Sequence, residues 1–132
     1  MENIPDDPVI FAGTHQGILD GFIWIEDCPK HAVVVHSAET NKFLLMAQLN
    51  TGLVLVTKDK QKSKKRLQSK IDMMSILLKG HSIFIFPETA WDLSPNKIVL
   101  PTNWGFVDIS KKTRVPIVPV TINYVYDTSQ PK

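Results

Sequence analysis

The chain has 132 residues, 43% hydrophobic and 21% charged, with nine Pro and six Gly, which is the size and composition of one soluble globular domain. Fifteen Lys and Arg against thirteen Asp and Glu leave a net charge of +2, too small to imply a nucleic-acid partner. The single cysteine, Cys28, argues against a disulfide-rich secreted scaffold, no apolar run reaches the roughly 18 residues that span a bilayer, and the acidic, proline-broken first residues give no support to a signal or transit peptide.

In chain order, residues 9–12 predict a first strand and residues 32–36, with Val33, Val34 and Val35, a second. Residues 42–49 predict a short helix stopped by Asn50 and Gly52, and residues 53–57 a third strand. Residues 61–79 carry Leu67, Ile71, Met74 and Leu78 at helical spacing, with Gly80 as a C-terminal cap. A fourth strand over 82–86, a helix over 103–112 and a fifth strand over 115–126 complete the pattern. Pro116 and Pro119 confine the first half of that fifth strand to places where ladder hydrogen bonds are missing. Strands that are apolar throughout and alternate with helices predict an α/β fold: a mostly parallel central sheet flanked by helices, in a single domain over residues 1–132.

The chemistry gathers after the first strand. His15 and Asp20 would point about 140° apart on a continuous helix, so they meet only if the chain turns between them, and Gly17 permits that turn. Asp20 could then accept a hydrogen bond from one ring nitrogen while the other takes a proton, which makes a general base without a nucleophilic serine. On local pattern two readings stand: a catalytic dyad, or a loop histidine beside a surface aspartate. Other combinations carry less. His31 and His36 fall on opposite faces of a strand, and no carboxylate or cysteine is spaced to complete a metal site around them. Cys28, beside Pro29, reads as an incidental thiol, and His81 has no evident partner. Seven positive residues and one negative between Lys58 and Lys70 fit either a solvated helix face or contact with anionic lipid head groups.

Four segments occur in a telling order: His15-x4-Asp20; Gly52-Leu53-Val54-Leu55-Val56-Thr57-Lys58; Ile85-Phe86-Pro87-Glu88; and Val115-Pro116-Ile117-Val118-Pro119-Val120. Together they resemble the four successive motifs of the glycerophosphate and lysophospholipid acyltransferase superfamily, of the 1-acylglycerol-3-phosphate O-acyltransferase type. The resemblance implies a glycerol-3-phosphate acyltransferase-like fold in a truncated version, a fragment of a longer chain. It implies an acyl transfer in which His15, oriented by Asp20, deprotonates an acceptor hydroxyl that attacks an acyl thioester on coenzyme A or acyl carrier protein. No bound cofactor or metal is implied. Lys58, Pro87, Glu88, Thr89 and Trp91 fall at the acceptor site, and the acceptor would be a lysophospholipid, a glycerol phosphate or a related lipid. A cytoplasmic location at the inner face of a membrane follows from such substrates.

Two departures bear on the acceptor. The family's Gly-Thr-Arg after the third motif's glutamate is Thr89-Ala90-Trp91 here, and Lys58 stands where many members carry Arg, which removes a bidentate phosphate clamp. Trp91, with Trp24 and Trp104, could offer an aromatic wall to a sugar or a lipid glycerol, or simply pack. The altered motif leaves a non-catalytic module that binds an anionic lipid or glycan as the alternative, and a hydrolase using the same dyad on water as a third.

Overall fold

A computed structural model describes residues 3–15, 17, 19–28, 30–37, 46, 52–57, 61–88 and 102–122. Five strands, β1 (Ile10–Gly13), β2 (Ala32–Ser37), β3 (Leu53–Val56), β4 (Ser82–Ile85) and β5 (Ile117–Val120), form one sheet in the order β3-β2-β4-β1-β5. Every pairing is parallel. Among the described residues three helices flank it: α1 (Asp20–Asp27), α2 (Ser63–Leu78) and α3 (Gly105–Thr113). This is the α/β architecture expected from the strand composition. The helix expected over 42–49, Met46 excepted, and residues 123–126 of the expected fifth strand lie outside the described residues, and the strand itself is shorter than expected, spanning Ile117–Val120.

Alternation along the strands builds two cores. Ile10, Ile83, Ile85 and Val54 face α2 and α3, where they pack with Met73, Leu77 and Ile109. Val9, Phe11, Val34 and Phe84 face the other way, with Trp24 of α1. The central strands β1 and β4 are therefore covered on both faces, and Ile10, Phe11, Ile83 and Phe84 are fully buried. Each such side chain contributes about 1.5–3 kcal/mol relative to exposure. Two buried hydroxyls fix the layers. Ser82 Oγ accepts the Val9 N–H at 3.1 Å, and the Ser69 hydroxyl lies 2.8 Å from the Leu55 carbonyl, tying α2 to β3.

α2 ends as the sequence predicts. Gly80 takes a φ of 90°, and the N–H groups of Gly80 and His81 reach back to the Leu77 and Ile76 carbonyls at 3.1 Å each. Of the four apolar residues that gave the helical spacing, Met74 packs against the core. Ser69, Met73 and Leu77 face the core, whereas Leu67, Ile71 and Leu78 are exposed. Lys70 of α2 pairs with Asp108 of α3, which Lys112 also approaches at 3.4 Å.

α1 was not expected. Its eight residues hold Gly21 and the β-branched Ile23 and Ile25, and Glu26 and Asp27 stand in its last turn against the helix dipole. Tertiary burial of Asp20, Gly21 and Trp24 overrides these local preferences. Pro119 is accommodated because β5 pairs with β1 alone among the described strands, so its missing N–H costs no ladder bond on the outer side.

Candidate active site

Parallel sheets gather ligand sites at the carboxyl ends of their strands. β1 and β4 are neighbours, so the segments leaving them, Thr14-His15 and Phe86-Pro87-Glu88, emerge side by side. Thr14 anchors the first. Its N–H donates to the Val120 carbonyl at 3.1 Å, and its hydroxyl oxygen accepts the Ile122 N–H at 3.1 Å.

The turn between His15 and Asp20 closes at Gly17. The Gly17 N–H donates to Asp20 Oδ2 at 2.9 Å, and the Asp20 N–H reaches the Gly17 carbonyl at 3.3 Å. This reciprocal pair starts α1 and turns the Asp20 carboxylate back toward β1. Asp20 Oδ2 then lies 2.9 Å from His15 Nδ1. A carboxylate only accepts hydrogen bonds, so Nδ1 carries the hydrogen and Nε2 is the basic nitrogen. The arrangement is asymmetric in exposure: the Asp20 side chain is fully buried and that of His15 is 18% accessible. Two hydrogen bonds and the first turn of α1 compensate the desolvation of the carboxylate, while the imidazole keeps access to a reactant.

Glu88 joins the same centre from β4. It is buried, and its Oε1 accepts the backbone N–H of His15 at 3.4 Å. Pro87 is buried beside it, and its carbonyl accepts the Asn103 N–H at 2.8 Å, which ties this segment to the start of α3. The structure thus brings His15, Asp20, Pro87 and Glu88 together. Lys58, Thr89 and Trp91 lie outside the described residues.

One member of the site escaped the sequence reading. Phe86 stacks on the imidazole of His15, with ring centroids 4.1 Å apart and planes at 22°. No local periodicity could have flagged that contact, because the two residues follow different strands.

The cysteine and the remaining histidines stay apart from this chemistry. Cys28 donates its S–H to the Lys30 carbonyl at 2.9 Å, and burial pushes the thiol up from its ordinary range, opposed by hydrogen bonding of the thiolate to the Lys30 backbone and by the Lys30 charge. It is held as a thiol, not as a thiolate nucleophile. Among the described residues no three His, Cys, Asp or Glu side chains converge as metal ligands do.

No curated protein matches the chain significantly. The family models do reach a match: the one described as Acyltransferase aligns with residues 1–123, a span that takes in β1 through β5 and with them the His15, Asp20 and Glu88 cluster. On that match the chain belongs to the acyltransferase family, and acyl transfer is the general chemistry to which its site answers.

Proposed function

We propose that the protein is an O-acyltransferase that moves a fatty acyl group from a thioester of coenzyme A or acyl carrier protein to a hydroxyl of a lysophospholipid, a glycerol phosphate or a related lipid. The observation that carries this reading is the 2.9 Å contact between His15 Nδ1 and Asp20 Oδ2 at the end of β1. His15 Nε2 takes the proton of the acceptor hydroxyl as its oxygen bonds to the thioester carbonyl carbon. Collapse of the tetrahedral intermediate breaks the C–S bond, and His15 returns the proton to the departing sulfur. Asp20 holds the tautomer and supports the transient imidazolium. Glu88 keeps His15 in place through its N–H, and with Lys58, Pro87, Thr89 and Trp91 it forms the acceptor side, Lys58 serving as a point charge for an anionic head group.

The proposed working place is the cytoplasmic face of a membrane. No helix among the described residues is long and apolar enough to cross one. Support for surface contact comes from α2, whose exposed Leu67, Ile71 and Leu78 share one side of the helix while exposed Lys62, Lys64, Lys65 and Arg66 surround its first turn.

Thr89-Ala90-Trp91 in place of the family's Gly-Thr-Arg favours a second reading, a module that binds an anionic lipid or glycan without turnover. One experiment separates the two. The chain is incubated with long-chain acyl-CoA and a panel of lysophospholipid, glycerol phosphate and glycan acceptors, and the products are weighed by mass spectrometry. An acylated acceptor that disappears with His15→Ala supports the enzyme. Acceptor binding with no product from any donor supports the module.

A further inference from the structure

The imidazole of His15 is held at its edge and also on its face. Asp20 grips Nδ1 at 2.9 Å. A bond at one nitrogen still lets the ring rock about the line of that bond. A flat contact removes the rocking, and Phe86 supplies it, stacked at 4.1 Å and 22°. Phe86 is held in turn. Phe84 meets it edge-on at 4.8 Å and 88°, and Phe84 stacks on Trp24 at 4.2 Å and 14°. Trp24 and Phe84 are among the buried side chains of the core under α1.

Trp24 and Asp20 stand four positions apart on α1, which puts both on one face of that helix, and both are buried. A single helical turn therefore reaches the imidazole twice: through the Asp20 carboxylate, and through the rings of Trp24, Phe84 and Phe86.

We propose that Phe86 is a positioning residue for His15, and that Trp24 and Phe84 form the column that holds Phe86 under the imidazole. The inference rests on the reading of His15 as the general base. The face of a phenyl ring is the negative end of its quadrupole, so the stack also favours the imidazolium formed when the acceptor proton arrives. Among the described residues, Asp20 of α1 meets the ring at Nδ1, and Glu88, from the segment after β4, meets the backbone N–H of His15 with its carboxylate. Phe86 meets the ring on its face, whereas Asp20 meets it at Nδ1 on the edge.

The test uses Phe86→Leu and Phe86→Tyr in the full chain. Three quantities are read: kcat, KM for the thioester, and the titration midpoint of His15 followed by NMR. With Phe86→Leu, kcat is expected to fall about tenfold to a hundredfold, as for a misplaced catalytic group, while KM stays within about twofold. The midpoint is expected to move down by roughly half a pH unit, the size of a modest cation–π contribution. Phe86→Tyr, which keeps the ring, should restore both.

An unchanged kcat with an unmoved midpoint in Phe86→Leu overturns the proposal. So does a loss that Phe86→Tyr fails to restore. If Phe86→Leu does not fold, Phe86→Met carries the same comparison. Failure of the underlying reading looks different: His15→Ala would then turn over normally, and the NMR midpoint alone would decide whether Phe86 supports the ring.

Discussion

Gly13 and Phe84 meet so closely that a methyl group cannot come between them: a Cβ at position 13 would stand 2.5 Å from Phe84 Cζ. The ring has nowhere to go, because it is fully buried, stacked on Trp24 and edge-on to Phe86. The glycine before Thr14-His15 is thus required by a phenyl ring on the neighbouring strand.

Gly13→Ala should therefore cost about 1–3 kcal/mol through overpacking, and it should also disturb the stack under His15. Thermal denaturation measures the first effect and kcat the second. A melting temperature within a degree of the parent would show that the ring can yield.

Asp20→Asn keeps the shape of the side chain but can present its N–H₂ to Nδ1, which favours the wrong tautomer. In serine-protease triads the corresponding change lowers kcat on the order of 10⁴, and a loss of at least two orders of magnitude is expected here. Steady-state kinetics with the acyl thioester checks it. A variant as fast as the parent would mean that the 2.9 Å contact does not serve turnover.

Glu88→Gln retains an oxygen that can accept the His15 N–H, whereas Glu88→Ala does not. If placing His15 is the main service of Glu88, Ala should lower kcat well below the Gln variant. If instead its charge meets the acceptor, both should raise KM for the acceptor alike. Parallel measurement of kcat and KM separates the two.

Cys28 gives a pH prediction. Burial raises its folded value above the ordinary 9.0, so the folded chain keeps this proton where the unfolded chain has lost it. The associated stability is present below that ordinary value and is lost as pH climbs through the folded one. Cys28→Ser should flatten the alkaline fall in melting temperature and leave kcat intact. Alkylation of Cys28 at pH 8 should be slower in the folded chain than in urea.

Arg114 closes α3 with a φ of 59°, the left-handed position usually given to glycine. Arg114→Gly should relieve about 1 kcal/mol of backbone strain, partly offset by the greater freedom of glycine in the unfolded chain. The melting temperature should rise slightly and activity should not change.

The strands were legible in the sequence because β1 and β4 are covered on both faces and β2 buries one face and half-buries the other, so that they carry apolar runs, with Val33, Val34 and Val35 the clearest case. The meeting of His15 and Asp20 was legible because the two can meet only where the chain turns between them, and the turn closes at Gly17. α1 was hidden because its own residues argue against it, and its support comes from Phe11 and Phe84 on distant strands. The buried face of α2 was not legible, because Leu67, Ile71 and Leu78 repeat as regularly as Ser69, Met73 and Leu77 do. Periodicity gives the helix but does not say which side the sheet covers, and a buried serine bonded to the Leu55 carbonyl carries no hydropathy signal. Phe86 under His15 is a contact across 71 positions that only the register of β1 against β4 creates.

The strand order has a consequence for how the chain is made. Among the described strands β1 pairs only with β4 and β5, so during synthesis it must wait for residues 82–85 before it gains one of these neighbours. Glu88 follows three residues after β4 ends, and it is the group that takes the His15 N–H. Synthesis at roughly 5–20 residues per second leaves that early segment unpartnered for several seconds. A nascent chain halted before β4 therefore carries His15 and Asp20 without the strand beside them, and the cluster of His15, Asp20 and Glu88 forms only after residues 82–88 have been made.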